Sequence, residues 1–290
     1  MCKNIIYQIE PQKTYWQNTY FIQNLNSSDI VEVVHTLFEQ IEDLSLLKKG
    51  ISKFLNLFHK AITTKPLPQY HPNSVLEYIQ QNTSIVIELL NKTKSTIKQI
   101  NTNSNQATNI ETFRNNLYKI AQIIDIYTIK ENILFPAIEK NIEKFKCIMV
   151  MWSVHDDVRN NIKTLWQITQ NKQINLNEFN QIIGQLYFNI FTIHFRDKHL
   201  LFPNVNNYLP QQTQIELLLM CKQMPFPFIN PDFSAISYQK NIDNAQQNNQ
   251  TIDLETGNLT VEQIKLILNH LPTDITFVEH NVKVRYFSSP

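Results

Sequence analysis

Apolar residues recur every three or four positions along most of the chain, which is the spacing of one face of an α-helix. Two short segments of this kind come first: one begins at the potential caps Ser28 and Asp29, and the other, ISKFLNLFHKAI, ends before Pro66. Four longer segments follow at about 73–99, 110–143, 146–171 and 177–208. Long helices joined by short polar loops are typical of a bundle, so we expect an all-α protein with a four-helix up-down bundle.

The same pattern divides the chain into five parts. Aromatic, Asn and Gln residues without a sustained period predict an N-terminal arm, and a proline-rich and then polar stretch after the bundle predicts a linker. The end of the chain predicts a helix and a β-hairpin, which are too short to form their own core. The expected parts are an arm at 1–26, a small helical domain at 27–66, the bundle at 70–224, the linker at 225–258 and the helix with its hairpin at 259–290.

Composition excludes several classes of protein. Only 3 of the 290 residues are glycine, which leaves no GxGxxG or P-loop motif and argues against hairpin-rich folds. With 26 basic and 25 acidic residues and no basic stripe, the chain has no electrostatic signature of nucleic-acid binding. The 3 cysteines have no CxxC spacing, and there is neither a signal peptide nor an apolar run of membrane-spanning length. We therefore expect a cytoplasmic protein that binds neither nucleic acid nor a membrane.

One internal repeat stands out. KENILFP at 130–136 and DKHLLFP at 197–203 each lie late in the second helix of a predicted pair. Two similar helix pairs facing each other would bring side chains from all four helices to a central point, as in di-metal carboxylate bundles.

Helical phase selects the polar residues that could reach such a point. Glu131, His155, His194 and Asp197 lie on the apolar stripes of their helices, with Asn82 and Tyr127 as weaker candidates. A buried carboxylate needs a partner, and a metal ion is one way to supply it. The alternative is that each histidine is a hydrogen-bonded core residue and that Glu131 pairs with a lysine or arginine.

Several segments resemble the hemerythrin-like HHE proteins that carry a PAS domain after the bundle. They are KENILFPAIEK at 130–140, VMWSVHDDVR at 150–159, HLLFP at 199–203 and TGNLTVEQIKLILNHLPTDITFVEHNVKVRYFS at 256–288. The His71-Pro72 pair before the first long helix matches the same architecture, and the resemblance covers most of residues 28–288. The PAS-like part ends after what corresponds to the first helix and hairpin of that domain.

The resemblance implies a four-helix bundle that binds non-haem iron, usually as a di-iron centre, and senses or handles dioxygen, nitric oxide or iron. His71, Glu131 and His155 match family ligand positions, while His194 and Asp197 lie near positions where the fourth helix differs. The chain has Ile126 and Asn82 where the family has histidines. The expected metal ligands are therefore His71, Glu131, His155, His194 and Asp197.

The expected function is a regulatory metal protein rather than an enzyme, because no GxSxG elbow or catalytic cysteine motif occurs. The cofactor would be mono- or di-iron, with Zn or Mn as alternatives because imidazole and carboxylate suit all three. O2 or NO, a protein partner, or a second copy of the chain are the expected partners. The site could hold one metal, hold two with altered ligation, or have lost metal and left an interaction module. Iron donation to damaged iron-sulfur clusters is a further alternative, by analogy alone.

Overall fold

The structure is a computed structural model of the chain. It describes residue 20 and residues 24–102, 106–143, 145–171, 173–236, 251–253, 256–271, 276–278 and 284–287. The chain forms two compact units, Met1–Pro231 and Asp232–Pro290. The described part is mostly helical, as expected of an all-α protein. The predicted arm at 1–26 lies outside the described residues except for Tyr20 and 24–26.

After the helical residues Tyr20 and Asn24, the first unit continues with two helices, α1 at Ser27–Gln40 and α2 at Leu44–Thr63. Helix α1 is capped by Asn26 rather than by Ser28 or Asp29: the Asn26 side chain accepts from the Asp29 N–H at 2.9 Å, and the Asp29 carboxylate accepts from the Asn26 N–H at 2.8 Å. This reciprocal pair satisfies two backbone donors that a helix start leaves without partners.

The four long segments that the sequence predicts are helical. They are α3 at Val75–Asn101, α4 at Gln106–Ala121 with α5 at Ile123–Ile129 and α6 at Phe135–Asn141, α7 at Cys147–Ile168, and α8 at Leu176–Arg196 with α9 at Phe202–Tyr208. A further helix that was not predicted, α10 at Gln211–Met220, follows α9 and ends in a 3₁₀ turn at Cys221–Gln223. Apolar residues of all the long helices are buried and form the core of this unit.

Both repeats contain a turn of π-helix. The turn π1, Lys130–Leu134, joins α5 to α6, and π2, Asp197–Leu201, joins α8 to α9. In each, the N–H of the following phenylalanine reaches the carbonyl five residues before it, Phe135 to Lys130 and Phe202 to Asp197. The next residue in each case is a proline, which has no N–H to donate and crowds the carbonyl four positions earlier in an ordinary helix. The wider turn accommodates that proline, and turns of this kind are frequent at functional sites.

The beginning of the predicted linker packs on α3. The Asn82 side-chain amide accepts hydrogen bonds from the N–H groups of Phe228 and Ile229 at 2.9 and 3.0 Å and donates to the Ile229 carbonyl at 2.9 Å. It also donates to the Tyr78 carbonyl at 2.8 Å, and Phe226 is buried beside it. Both polar groups of the Asn82 side-chain amide therefore have partners, and three of the four hydrogen bonds hold the segment 226–230 on α3.

The described residues of the second unit contain a helical turn at 233–236, two short antiparallel pairs of strands and a longer helix. Strand β1, Thr251–Asp253, pairs with β2, Asn258–Thr260, so the end of the predicted linker is a small hairpin. Helix α11, Val261–His270, is capped by Thr260 and Gln263, and β3, Thr276–Val278, pairs with β4, Val284–Phe287. Within the described ranges, no helix combines the length and the apolarity that crossing a membrane would require.

Candidate functional site

The five predicted ligands do not meet as one group. Glu131 contacts His155, Asp197 is bonded to Lys130, and His194 lies at a cavity beside α2. His71 precedes α3 and is half-buried, and its backbone carbonyl accepts from the Ser74 N–H. In the parts of the chain that the structure describes, no three His, Cys, Asp or Glu side chains are grouped to hold a metal ion.

Glu131 on π1 is held by two cationic or potentially cationic side chains from α7. The Glu131 Oε1 accepts from His155 Nδ1 at 2.7 Å, and Oε2 accepts from the Arg159 guanidinium at 2.6 Å. His155 and Arg159 are four residues apart and therefore face the same side of α7. Burial acts to raise the pKa of Glu131, but the hydrogen bonds from His155 and Arg159 outweigh it, so the pKa lies below its ordinary value. Glu131 is an ionised carboxylate.

His155 is a neutral imidazole in a fixed tautomer. It is fully buried between the rings of Tyr127, at 3.9 Å between centroids, and Phe135, at 5.8 Å. This burial, together with the nearby positive charges of Lys130 and Arg159, lowers the pKa of His155 to about 3 despite the hydrogen bond to Glu131. Because the ionised Glu131 can only accept, Nδ1 carries the proton and Nε2 has the lone pair. Among the described residues, this buried Nε2 has no hydrogen-bond partner.

Lys130 and Asp197 form a buried pair between the two repeats. The Lys130 ammonium donates to both carboxylate oxygens of Asp197, at 2.7 and 2.8 Å, and the two residues are 0% and 2% exposed. The rings of Tyr127 and Phe135 flank the ammonium at 5.7 and 5.6 Å. Burial lowers the pKa of Lys130 and raises the pKa of Asp197, each against the attraction of the other. The paired state removes most of the cost of burying either charge alone.

Two more polar atoms at these stripes are buried without a partner among the described residues, the Tyr127 hydroxyl and His194 Nδ1. Burial and the charge of Asp197 raise the pKa of Tyr127 well above its ordinary value. Burial and the charges of Lys198, His199 and Lys130 lower the pKa of His194 to about 4. Tyr127 is therefore a neutral phenol, and His194 a neutral imidazole in a positively charged environment.

Sequence reasoning missed the two cations that complete this site, Lys130 and Arg159. Each had a signal in the chain. Arg159 lies one helical turn after His155, and Lys130 occupies in KENILFP the position that Asp197 occupies in DKHLLFP. Opposite charges at equivalent positions of a repeat predict a pair if the two turns face each other.

The chemistry of the site follows from its charge count. Glu131 and Asp197 are the two buried carboxylates, and Arg159 and Lys130 are the two cations bonded to them. These two ion pairs are together neutral without any further ion. The thiol of Cys221 is also buried, and this raises its pKa to about 12, so it stays protonated and is a poor nucleophile.

No protein-family model matches the chain, and a search of curated proteins returns no match. The resemblance to hemerythrin-like proteins therefore rests on the sequence motifs alone.

Proposed function

We propose that the chain is a divergent hemerythrin-like four-helix bundle that is stabilised by internal ion pairs instead of a metal ion and serves as a non-catalytic interaction module. The observation that carries this proposal is the fully buried Lys130 ammonium, which donates to both oxygens of Asp197. In this arrangement a protein cation does for Asp197 what a metal ion would do for a ligand carboxylate.

The long helices support an up-down bundle. Helices α3, α4 to α6, α7 and α8 to α9 follow one another through short connections, and neighbouring segments in this order pack together. The two π turns lie at equivalent places in the second and fourth of these, each directly before a Phe-Pro pair. This arrangement fits two related helix pairs, as the repeat predicts.

Electrostatics argue against a divalent ion beside these carboxylates. Both carboxylates already have cationic partners, and Lys130 and Arg159 lower the pKa of His155, so their positive charge acts at the imidazole where a metal would bind. Adding a divalent cation would leave two uncompensated positive charges in a buried place, which costs several kcal/mol per charge even after relaxation. Metal entry would require Lys130 to leave Asp197.

One observation favours a second candidate, the regulatory metal protein that senses O2, NO or redox state. His155 donates its Nδ1–H to the Glu131 carboxylate, and the lone pair of its buried Nε2 is unused by any described residue. Metal-bound histidines commonly donate their other ring N–H to a carboxylate in the same way. A second imidazole nitrogen, Nδ1 of His194, is also buried without a partner among the described residues. Among the described residues no three His, Cys, Asp or Glu side chains are grouped to hold a metal ion, so we place this candidate second.

Metal content separates the two candidates. We would purify the full chain anaerobically from iron-supplemented cells, measure metals by mass spectrometry, and record optical spectra before and after admitting air. The proposal expects substoichiometric metal, no new absorption band, and a thermal midpoint unchanged by a chelator. Stoichiometric iron that is lost in Glu131→Ala and His155→Ala would contradict it and establish the metal candidate.

A further inference from the structure

A cavity away from the Glu131 cluster lies between α2 and the end of α8 with its π turn. It measures about 400 Å³, which is within the size range of small-molecule sites. Ser52, Asn56 and His59 line it from α2. The proposed function does not use this cavity, and a ligand there would not depend on whether the bundle holds a metal.

The cavity wall from α8 and π2 is basic. The cations Arg196 and Lys198 line it there, together with two imidazoles whose pKa burial lowers, His199 and His194. The Nδ1 of His194 is buried without a partner in the described chain. None of the described residues that line it is acidic. The neighbouring carboxylate, Asp197, points to Lys130, and no ion pair of Lys198 is found among the described residues. A basic cavity without its own carboxylate attracts an anion.

Aromatic rings supply the other surface of the cavity. Phe195 lies between two imidazoles, with ring centroids 5.1 Å from His59 and 4.9 Å from His199. Phe195 stacks on His59 and makes a tilted contact with His199, so both imidazoles are held at the cavity. Phe188, which is 55% exposed, lines the side of the cavity together with Phe191. An exposed phenylalanine beside cationic groups suits a ligand that is apolar at one end and charged at the other.

The polar groups of α2 add hydrogen-bonding capacity to the basic wall. Ser52 Oγ accepts from the Arg196 guanidinium at 3.1 Å, so Arg196 is already directed across the cavity towards α2. Asn56 and Thr192 line the same space with an amide and a hydroxyl. Several donors around one charged group are the usual means of orienting a carboxylate or phosphate.

We propose that this cavity binds a small organic anion, in which a carboxylate or phosphate contacts Lys198, His199 and Arg196 and a planar apolar ring packs on Phe188 and Phe191. A metal ion is not the expected ligand, because no three His, Cys, Asp or Glu side chains are grouped for one among the described residues. The shared chemistry is an anionic group attached to an aromatic ring, and carboxylate and phosphate forms are compared in the test.

The test uses the full chain with phenyl phosphate, benzoate, inorganic phosphate and benzyl alcohol at constant ionic strength. Binding is measured by calorimetry and by the shift in the thermal midpoint. The proposal expects saturable binding of phenyl phosphate or benzoate, weaker binding of inorganic phosphate, and no saturable binding of benzyl alcohol. Equal binding of benzyl alcohol would overturn the role of charge, and tighter binding of inorganic phosphate would overturn the role of the ring.

Variants locate the site. Lys198→Gln is expected to weaken binding about tenfold, the equivalent of one charge-assisted hydrogen bond, and Phe188→Ser is expected to weaken aromatic anions but not inorganic phosphate. Both side chains are partly exposed, so the fold should persist, which circular dichroism checks. Lys163→Gln, on the exposed face of α7, is the matched control. Absence of saturable binding by either aromatic anion, or equal binding in wild type and Lys198→Gln, would overturn the proposal.

Discussion

The two π turns have the same backbone hydrogen-bond pattern, but their first residues carry opposite charges. In both, a phenylalanine N–H bonds to the carbonyl of the first residue of the turn, five positions earlier. That first residue is Lys130 in π1 and Asp197 in π2, which are 67 positions apart. Equal charges at these facing positions would repel one another in a buried place. A reversal of charge in one repeat turns that repulsion into an ion pair.

The next position in each turn shows how far the repeats diverge. In π1 it is Glu131, which is buried and bonded to His155 and Arg159. In π2 it is Lys198, which is half-buried and lines the basic cavity. The same backbone conformation thus places an ion-paired side chain in the first repeat and a basic side chain at the cavity wall in the second. Turn geometry therefore places these side chains, and their charges determine which groups they can bind.

Breaking the Lys130–Asp197 pair should have the largest effect on stability. Lys130→Met leaves Asp197 as an uncompensated buried charge, and we expect it to lower the free energy of unfolding by about 3–5 kcal/mol. Urea denaturation followed by circular dichroism measures this change. The control Lys163→Met removes an exposed lysine and should stay within about 0.5 kcal/mol of wild type.

The double variant Lys130→Met/Asp197→Leu removes both charges at once. Because neither charge is then left unpaired, it should be more stable than Lys130→Met alone. A single variant that loses less than about 1 kcal/mol, or a double variant whose loss is the sum of the two single losses, would show that the two residues are not paired in the folded protein.

The neutral state of His155 predicts a stability that falls in acid. Its pKa is about 3 in the folded protein and about 6.5 in the unfolded chain, so between these values the unfolded state binds one more proton at this site. The free energy of unfolding should therefore fall by about 1.4 kcal/mol per pH unit below pH 6.5 on account of this residue, and the contribution is fully present above that pH.

His155→Phe tests this acid dependence by keeping a ring between Tyr127 and Phe135 without a proton site. Urea titrations at several pH values between 4 and 7 should give a slope that is smaller than the wild-type slope by about one proton. His270→Gln, which changes an exposed histidine of α11, should leave the slope as it is in wild type. Parallel profiles for wild type and His155→Phe would mean that His155 titrates normally when folded.

Arg159→Gln should lower the free energy of unfolding by less than Lys130→Met does, although each of these cations is bonded to a carboxylate. The Arg159 side chain is 28% exposed, so water partly screens its bond to Glu131. We expect a loss of about 1–2 kcal/mol in urea denaturation and a rise in the pKa of Glu131. Asp156→Asn, which removes only the exposed partner of Arg159, should change stability by less than about 0.5 kcal/mol. A loss in Arg159→Gln as large as that in Lys130→Met would put Arg159 in a fully desolvated pair.

Most of the helical pattern could be predicted from the sequence, because apolar spacing reports which face of a helix is buried. The stripe of Tyr127, Glu131, Leu134 and Ile138 is buried as expected. The π turns could not be predicted from that spacing. A π turn contains more residues than an α turn, so Lys130 and Glu131 both become buried, although adjacent residues of an α-helix face about 100° apart.

The partners of the candidate residues were harder to predict than their burial. Helical phase predicts that Glu131 and Asp197 are buried, and either a metal ion or a basic side chain could then be the partner of each carboxylate. The sequence alone does not distinguish these two partners, because a long lysine side chain can reach a carboxylate on another helix from several positions. Asn82 was likewise expected at a ligand-like place, and its role depends on residues 226–230, which are more than 140 positions away.

The smallest expected effect on stability is that of changing Tyr127. Its position in the first repeat is equivalent to that of His194 in the second. Its hydroxyl is buried and has no partner among the described residues, and a buried polar group without a hydrogen bond costs about 1–3 kcal/mol. Tyr127→Phe should therefore leave the free energy of unfolding unchanged or raise it by up to about 1 kcal/mol. The control is Tyr187→Phe, which should lose about 1 kcal/mol because the Tyr187 hydroxyl donates to the Leu90 carbonyl at 2.7 Å. A loss in Tyr127→Phe as large as in Tyr187→Phe would show that the Tyr127 hydroxyl has a hydrogen-bond partner in solution.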